Sequence, residues 1–426
     1  MYVGALFIIF LLLLVLSMPV AFAMAASGGF TLMMEGVDLI GAVPRVFSGM
    51  NSMSLLAIPF FLLSGSLMEY GGISKQLVAF AKSLVGHLTG GLAHVCVLSS
   101  MIFASVSGSS VASAMAFGNI LVPAMNKSGY DKGFTSTIQA CGGTLGPIIP
   151  PSIVMIMYCS ITGISVGAMF MAGFIPGILI GIGLMIVSYL YAKKAGIPKE
   201  EKLPGSEVWK SFKGAVWALF MPVIIVGGIL SGWFTATESG MIAVVYGIFI
   251  GKVIYKELKW KDLPKIFVNT ALASAKVLFV SGMANILGWE LARLNFPSMV
   301  INGISRVTEN KWIIMLLIIG LFMLVGCFVE TVAAIVVFIP VLYPLAAQFG
   351  FEPIHFAIVV ILTLVMGQVT PPVGVILFLT SSMNGISIKQ TFKYLVPCIG
   401  VFVAVILICA FLPDIPMLLP RIFYGV

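Results

Sequence analysis

One carboxylate stands where carboxylates rarely stand. Glu330 is preceded by 18 uncharged residues, 312–329, and followed by 21 more, 331–351. An ionisable group inside so long an apolar run is costly to bury and implies a function: an ion or substrate path, or an internal partner. Beside it lies Gly326, so the stretch GCFVETVAAI at 326–335 reads as a polar interruption in an otherwise greasy segment.

Two further interruptions carry no charge. GGTLGPIIPPS spans 142–152 and GQVTPPVG spans 367–374. Adjacent prolines remove two backbone donors and clash with the preceding turn, while the glycines let the chain unwind. Backbone carbonyls freed this way cannot face lipid; they must be buried in protein or line a polar cavity, where they can coordinate a cation. A kink that serves packing alone is the plainer alternative. Before the first break, FASVSGSSVASA at 103–114 gathers small hydroxylated residues, which helix packing also explains.

Arg293 stands three residues after Glu290 and just before Asn295 and Pro297, where a helix would break. On a helix the pair could neutralise each other. Alternatively Arg293, a fixed bidentate donor, receives a substrate carboxylate. Lys276 is the remaining charge of that stretch. His87, His94 and His355 have no metal-ligand spacing, and the six cysteines lie in apolar runs without a disulfide pattern.

The elements that must position these residues are membrane helices. The chain of 426 residues is 60% hydrophobic and 9% charged, with a mean hydropathy of +1.15. A helix needs about 20 apolar residues to cross the hydrocarbon layer. Uncharged runs at 2–34, 83–126, 133–192 and 356–388, with shorter ones between, give roughly ten to twelve membrane segments by that rule. The apolar N-terminal stretch lacks a basic leader and reads as a retained helix. The net charge of +8 sits in short lysine-bearing loops, the pattern of cytoplasmic loops rather than of nucleic-acid binding. No nucleotide-binding loop, HExxH or GxSxG motif is present, so the chain is expected to be no enzyme and to draw on an ion gradient or a partner.

The chain also repeats itself. A shift of 221 residues lays Val111-Ala112 on Val332-Ala333, Pro123 on Pro344, Gly146 on Gly367 and Pro150-Pro151 on Pro371-Pro372. Ser109 and Ser110 fall on Glu330 and Thr331. The loop at 126–133 carries Lys127 and Lys132, whereas its mate at 347–354 carries only Glu352. At the next turn the asymmetry reverses: 163–167 is uncharged and 385–393 carries Lys389 and Lys393. Matching loops therefore belong on opposite faces, which makes the repeats inverted. The expected fold is an all-α polytopic membrane protein of two inverted-topology repeats, with re-entrant helical hairpins and broken transmembrane helices. Its expected divisions are scaffold helices at 1–90, a first transport repeat at 91–192, and a basic linker with scaffold or arm helices at 193–265. Intervening helices at 266–311, a second transport repeat at 312–397 and a C-terminal helix at 398–426 complete it. Within the linker, 193–213 is expected to run along the cytoplasmic surface. The basic segment 252–265 is either an interfacial helix anchored by Trp260 or a solvated loop.

SGSSVASAMAFG at 107–118, GGTLGPIIPPSIVMIMY at 142–158 and GQVTPPVGVILF at 367–378 resemble the large membrane (M) subunit of tripartite ATP-independent periplasmic (TRAP) transporters, over essentially the whole chain. The resemblance implies an elevator-type, sodium-driven importer of organic acids such as sialic acid or C4-dicarboxylates in a bacterial inner membrane. It implies two partners, a small four-helix membrane subunit and a periplasmic substrate-binding protein. Carried over by position, it implies one sodium site from Ser105, Ser107 and Ser109 with Gly146, Ile149 and Pro150, and a second from Gly326 with Gly367, Thr370 and Val373. Substrate contacts would come from Arg293, Glu330, Ser109 and Ser110. Many members of that family carry an Asp where this chain has Ser113. A stand-alone sodium-coupled dicarboxylate/citrate-type carrier is the alternative, expected to show Asn-Thr pairs at its hairpin tips; a channel is a third.

Overall fold

In the computed structural model, which describes residues 2–426, every regular element is helical. Seven helices are long and apolar enough to cross a membrane, and six shorter apolar helices of 10–17 residues accompany them. The expectation of ten to twelve spans merged these two kinds. Several uncharged runs fold as pairs of helices, as 83–126 does in Gly91–Ser107 and Ser110–Lys127.

The repeat is visible element by element. Helices Gly91–Ser107 and Ser110–Lys127 form a first hairpin; Lys311–Phe328 and Thr331–Gln348 form a second. Each is followed by a broken helix, Lys132–Gly143 with Ile153–Thr162 and Pro353–Gly367 with Val375–Met383. A long helix then closes each repeat, Val166–Ala195 and Phe392–Phe411. The correspondence reaches further back than the sequence matches. The amphipathic helices Ile73–Val85 and Phe296–Ser305 occupy equivalent positions, each entered through a left-handed residue, Gly72 at φ 80° and Asn295 at φ 54°. Glycine adopts that conformation freely and asparagine tolerates it.

Polar contacts fix the relative orientation of the halves. The Asn384 side chain, at the turn ending the second broken helix, donates to the Lys132 carbonyl at 2.9 Å and the Ser136 hydroxyl at 3.0 Å. Asn126 donates to it in turn at 2.6 Å. The turn after the second break thus lies beside the base of the first hairpin. At the other end, Thr162 to Ser165 share a cavity with Glu352 and Pro353 from the base of the second hairpin. Equivalent loops occupy opposite ends of the molecule, as the lysine distribution predicts, and Lys132, Lys194 and Lys393 gather at one end.

Four expected borders, 192/193, 265/266, 311/312 and 397/398, fall inside the helices Val166–Ala195, Leu263–Arg293, Lys311–Phe328 and Phe392–Phe411. Charge marks where a helix leaves the apolar layer, not where it ends. The linker shrinks to residues 196–204, because Trp209 and Lys213 already belong to helix Gly205–Leu230. The segment at 252–265 is neither one interfacial helix nor plain loop. It holds a π-turn at Ile250–Ile254, a short 3-10 turn at Trp260–Asp262 and the start of the next helix, with Trp260 exposed beneath the Lys252 ammonium at 4.8 Å.

Candidate functional site

The first hairpin turns at Gly108, in the left-handed region at φ 61°, and Ser109 caps the returning helix by accepting from the Ala112 amide. A β-carbon on Gly108 would lie 2.7 Å from the Pro151 carbonyl oxygen, and one on Gly146 2.7 Å from the Ser109 carbonyl oxygen. The tip therefore rests directly on the first break, and glycine is needed on both sides of the contact. Behind it, the Ser107 and Ser113 hydroxyls hydrogen-bond at 3.1 Å. Ser113 is fully buried, so a residue expected to vary in the family serves here as an internal partner of the tip.

Within the first break the Ser152 hydroxyl donates to the Pro147 carbonyl at 2.6 Å and accepts from the Met155 amide at 3.2 Å, restarting the helix at Ile153. Helix Val166–Ala195 covers this segment: β-carbons at Gly173 and Gly177 would overlap the Ile148 carbonyl and the Ile149 side chain. Small residues thus bring two backbones together without lipid between them. All of 142–152 is buried.

The second half repeats the plan with different chemistry. Val329 is extended and Glu330 caps helix Thr331–Gln348, its carboxylate accepting from the Ala333 amide at 3.1 Å. Gly326 and Gly367 meet backbone to backbone; a β-carbon on Gly367 would overlap the Gly326 main chain. Gln368, which the sequence reading passed over, donates to the Thr331 hydroxyl at 2.7 Å and leaves its carbonyl oxygen buried without a donor. The signal for it was weak, since a glutamine beside a proline pair has no charge to draw notice.

A polar property is shared by the residues expected to hold cations. Among the described residues, none donates a hydrogen bond to the carbonyl oxygens of Gly146, Ile149 and Pro150, or to those of Gly326, Thr370 and Val373. Gly367 departs from this, its carbonyl accepting from the Thr370 amide at 3.0 Å. Ser105 and Ser107 keep their hydroxyls near the first tip, Ser105 donating to the Ile102 carbonyl. Among the described residues no cluster of three or more His, Cys, Asp or Glu could hold a metal ion. The two breaks present neutral backbone oxygens, with serine hydroxyls beside the first.

Both tips and both breaks open on one cavity of about 180 Å³, lined by Ser109, Ser110, Pro147, Gly326, Glu330 and Gln368 among others. Among the described residues Glu330 is its only charged lining residue. Val111 and Val375 sit at its rim and are exposed; Met115 and Phe378 continue that exposed wall along the two helices leading to the lysine-rich end.

Arg293 is not among its lining residues. It ends helix Leu263–Arg293, donates to Glu290 at 3.1 and 3.3 Å, and forms an ion pair with Glu35 at the end of helix Val20–Met34. The Glu290 side chain is fully buried, so this triad ties two parallel helices together. Arg293 thus makes the internal pair with Glu290 that its spacing offers, with Glu35 as a second partner.

Residues 7–415 match the family model described as tripartite ATP-independent periplasmic transporter, DctM component. The chain belongs to this family. Among its relatives, the C4-dicarboxylate TRAP transporter large permease protein DctM of Pseudomonas aeruginosa is 34% identical, over 94% of each chain. The sialic acid TRAP transporter large permease protein SiaM of Vibrio cholerae is 35% identical, over 97% of each. The crystal structure of the Alcanivorax borkumensis YdaH transporter superposes with a TM-score of 0.61, covering 87% of each chain at 14% identity, which shows a shared fold. A TRAP large permease is a multi-pass membrane protein, and the repeats, tips and breaks described above are how this one is built.

Proposed function

We propose that this DctM-family chain is the large permease of a sodium-driven importer of an organic acid, resident in the inner membrane, and that the cavity between the two tips carries the substrate. The observation behind this reading is one carboxylate, Glu330, in a cavity lined by both tips, with donor-free carbonyls in the two breaks that the tips rest on. An organic acid entering such a cavity meets like charge. Two carboxylates 4 Å apart repel by about 4 kcal/mol at an effective dielectric of about 20. Sodium ions at the breaks would offset that repulsion, so substrate and cation bind best together, which is the thermodynamic content of symport.

Ser109 and Ser110 supply hydroxyls to the substrate, and Gln368 joins them; Arg293 holds the scaffold instead. The ion sites follow the carbonyls: Gly146, Ile149 and Pro150 with Ser105, Ser107 and Ser109 at one, Gly326, Thr370 and Val373 with Gly367 at the other. Residues 91–192 and 312–397 form the moving body, and helices such as Ala57–Tyr70 and Leu263–Arg293 form its frame. By the positive-inside rule the lysine-rich end is cytoplasmic. A small four-helix membrane subunit and a periplasmic binding protein complete the tripartite assembly, and the binding protein sets which acid is delivered. Dicarboxylate and sialic acid, named for two relatives, are the first to try. Binding measured calorimetrically on purified protein tests the coupling: affinity for the acid should rise at least tenfold when sodium replaces choline. Equal affinity in both salts would remove sodium from the mechanism.

A further inference from the structure

Far from the tips, at the lysine-rich end, helices Val166–Ala195 and Phe392–Phe411 leave a groove of about 560 Å³ on the outer surface. Its walls divide by chemistry. Val187, Leu190 and Pro397 make one end apolar, while Lys194, Lys393 and two tyrosines make the other cationic and aromatic. The aromatic end is rigid: Phe134 stacks on Tyr191 with ring centroids 3.6 Å apart, and Tyr394 meets Tyr191 edge-on at 5.4 Å. The Tyr191 hydroxyl accepts from the Asp131 amide at 3.0 Å, which pins the ring to the base of the first hairpin.

Neither ammonium is neutralised. No carboxylate lies within 4.0 Å of Lys194 or Lys393 among the described residues, although the described pairs include Lys75, Lys82 and two arginines. Asp131 is the acidic group beside Lys393, and its carboxylate is engaged with the Gly133 amide at 2.8 Å. Lys393 instead lies over the Tyr394 ring at 4.5 Å. Two unpaired cations above an apolar slot, at the level where a positive-inside protein meets anionic headgroups, match one ligand chemistry.

We propose that this groove seats an anionic glycerophospholipid, its phosphate between Lys194 and Lys393 and an acyl chain along Val187, Leu190 and Pro397. Both helices close a repeat, so a lipid held there spans the seam between the halves. This differs from a general basic belt, in which any interfacial lysine is worth as much as any other.

The test compares thermal unfolding of the detergent-purified full chain after adding phosphatidylglycerol, phosphatidylcholine or inorganic phosphate. Phosphatidylglycerol should raise the Tm by at least about 3 °C, with much smaller shifts from the other two. The pair Lys194→Gln and Lys393→Gln should abolish most of that gain. A control pair, Lys213→Gln and Lys252→Gln, removes two lysines that also lie over aromatic rings and should leave it intact. Equal losses in both pairs would reduce the groove to the general belt and overturn the proposal. So would an equal shift with phosphatidylcholine, a shift from phosphate alone, or stabilisation that appears only with a second membrane protein.

Discussion

Gln368 donates from its side-chain amide to the Thr331 hydroxyl at 2.7 Å, tying the second break to the first turn of the helix that Glu330 caps. The pair links a segment without regular structure to the one carboxylate of the cavity. Replacing Gln368 with Met keeps volume and removes both the bond and the orphaned carbonyl oxygen. The expected outcome is a KM for the transported acid raised about tenfold, the loss of roughly 1.4 kcal/mol, with a Tm within about 2 °C of the parent. An unchanged KM would place Gln368 outside the substrate contacts.

Glu330 serves two roles that one substitution pair can separate. Glu330→Gln retains an oxygen for the Ala333 amide but removes the charge, so transport should lose its sodium dependence while the protein stays folded. Glu330→Ala also removes the cap, costing about 1 kcal/mol of stability. Thermal unfolding and sodium titration of uptake on the two variants should therefore disagree, the first mild for Gln and larger for Ala, the second severe for both.

The Gly326–Gly367 contact leaves no room for a methyl group. Gly367→Ala should push the second tip off its break and lower uptake more than tenfold, whereas Gly400→Ala, in open space on a flanking helix, should be neutral. Measured by uptake normalised to membrane-inserted protein, equal activity of the two variants would show that the tip and break need not touch.

Arg293 now carries a prediction about stability instead of recognition. Removing it leaves the fully buried Glu290 and the nearly buried Glu35 unpaired, so Arg293→Gln should cost about 3 kcal/mol. The triple variant Glu35→Gln, Glu290→Gln, Arg293→Gln should recover most of the lost Tm. Failure of that rescue would argue against a structural triad.

The architecture was legible in the sequence because membranes leave few solutions. A shift of 221 residues aligned Ser110–Lys127 with Thr331–Gln348 from end to end, and loop lysines gave their opposite senses. The breaks at 142–152 and 367–374 were marked by proline pairs, whose consequences are local and certain. What stayed hidden depends on three-dimensional neighbours. Glu35 could not be seen as the partner of Arg293 from 258 positions away, so spacing to Glu290 told only half of that triad. Gln368 was silent for the same reason, because its importance lies in Thr331 and in an unpaired oxygen. The helix pair Ile73–Val85 and Phe296–Ser305 escaped the repeat because its kinship is one of backbone, with Gly72 and Asn295 reaching the same left-handed turn from different side chains.

The central claim is that cations at the breaks and an organic acid beside Glu330 move together, within a three-part machine. It is tested most directly by uptake of labelled organic acid into proteoliposomes holding this chain with its small membrane subunit, energised by an inward sodium gradient, with and without the binding protein. The account predicts accumulation only when sodium gradient and binding protein are both present, and none in Glu330→Gln under the same gradient. Uptake by this chain alone, or accumulation that follows a proton gradient and ignores sodium, would contradict it.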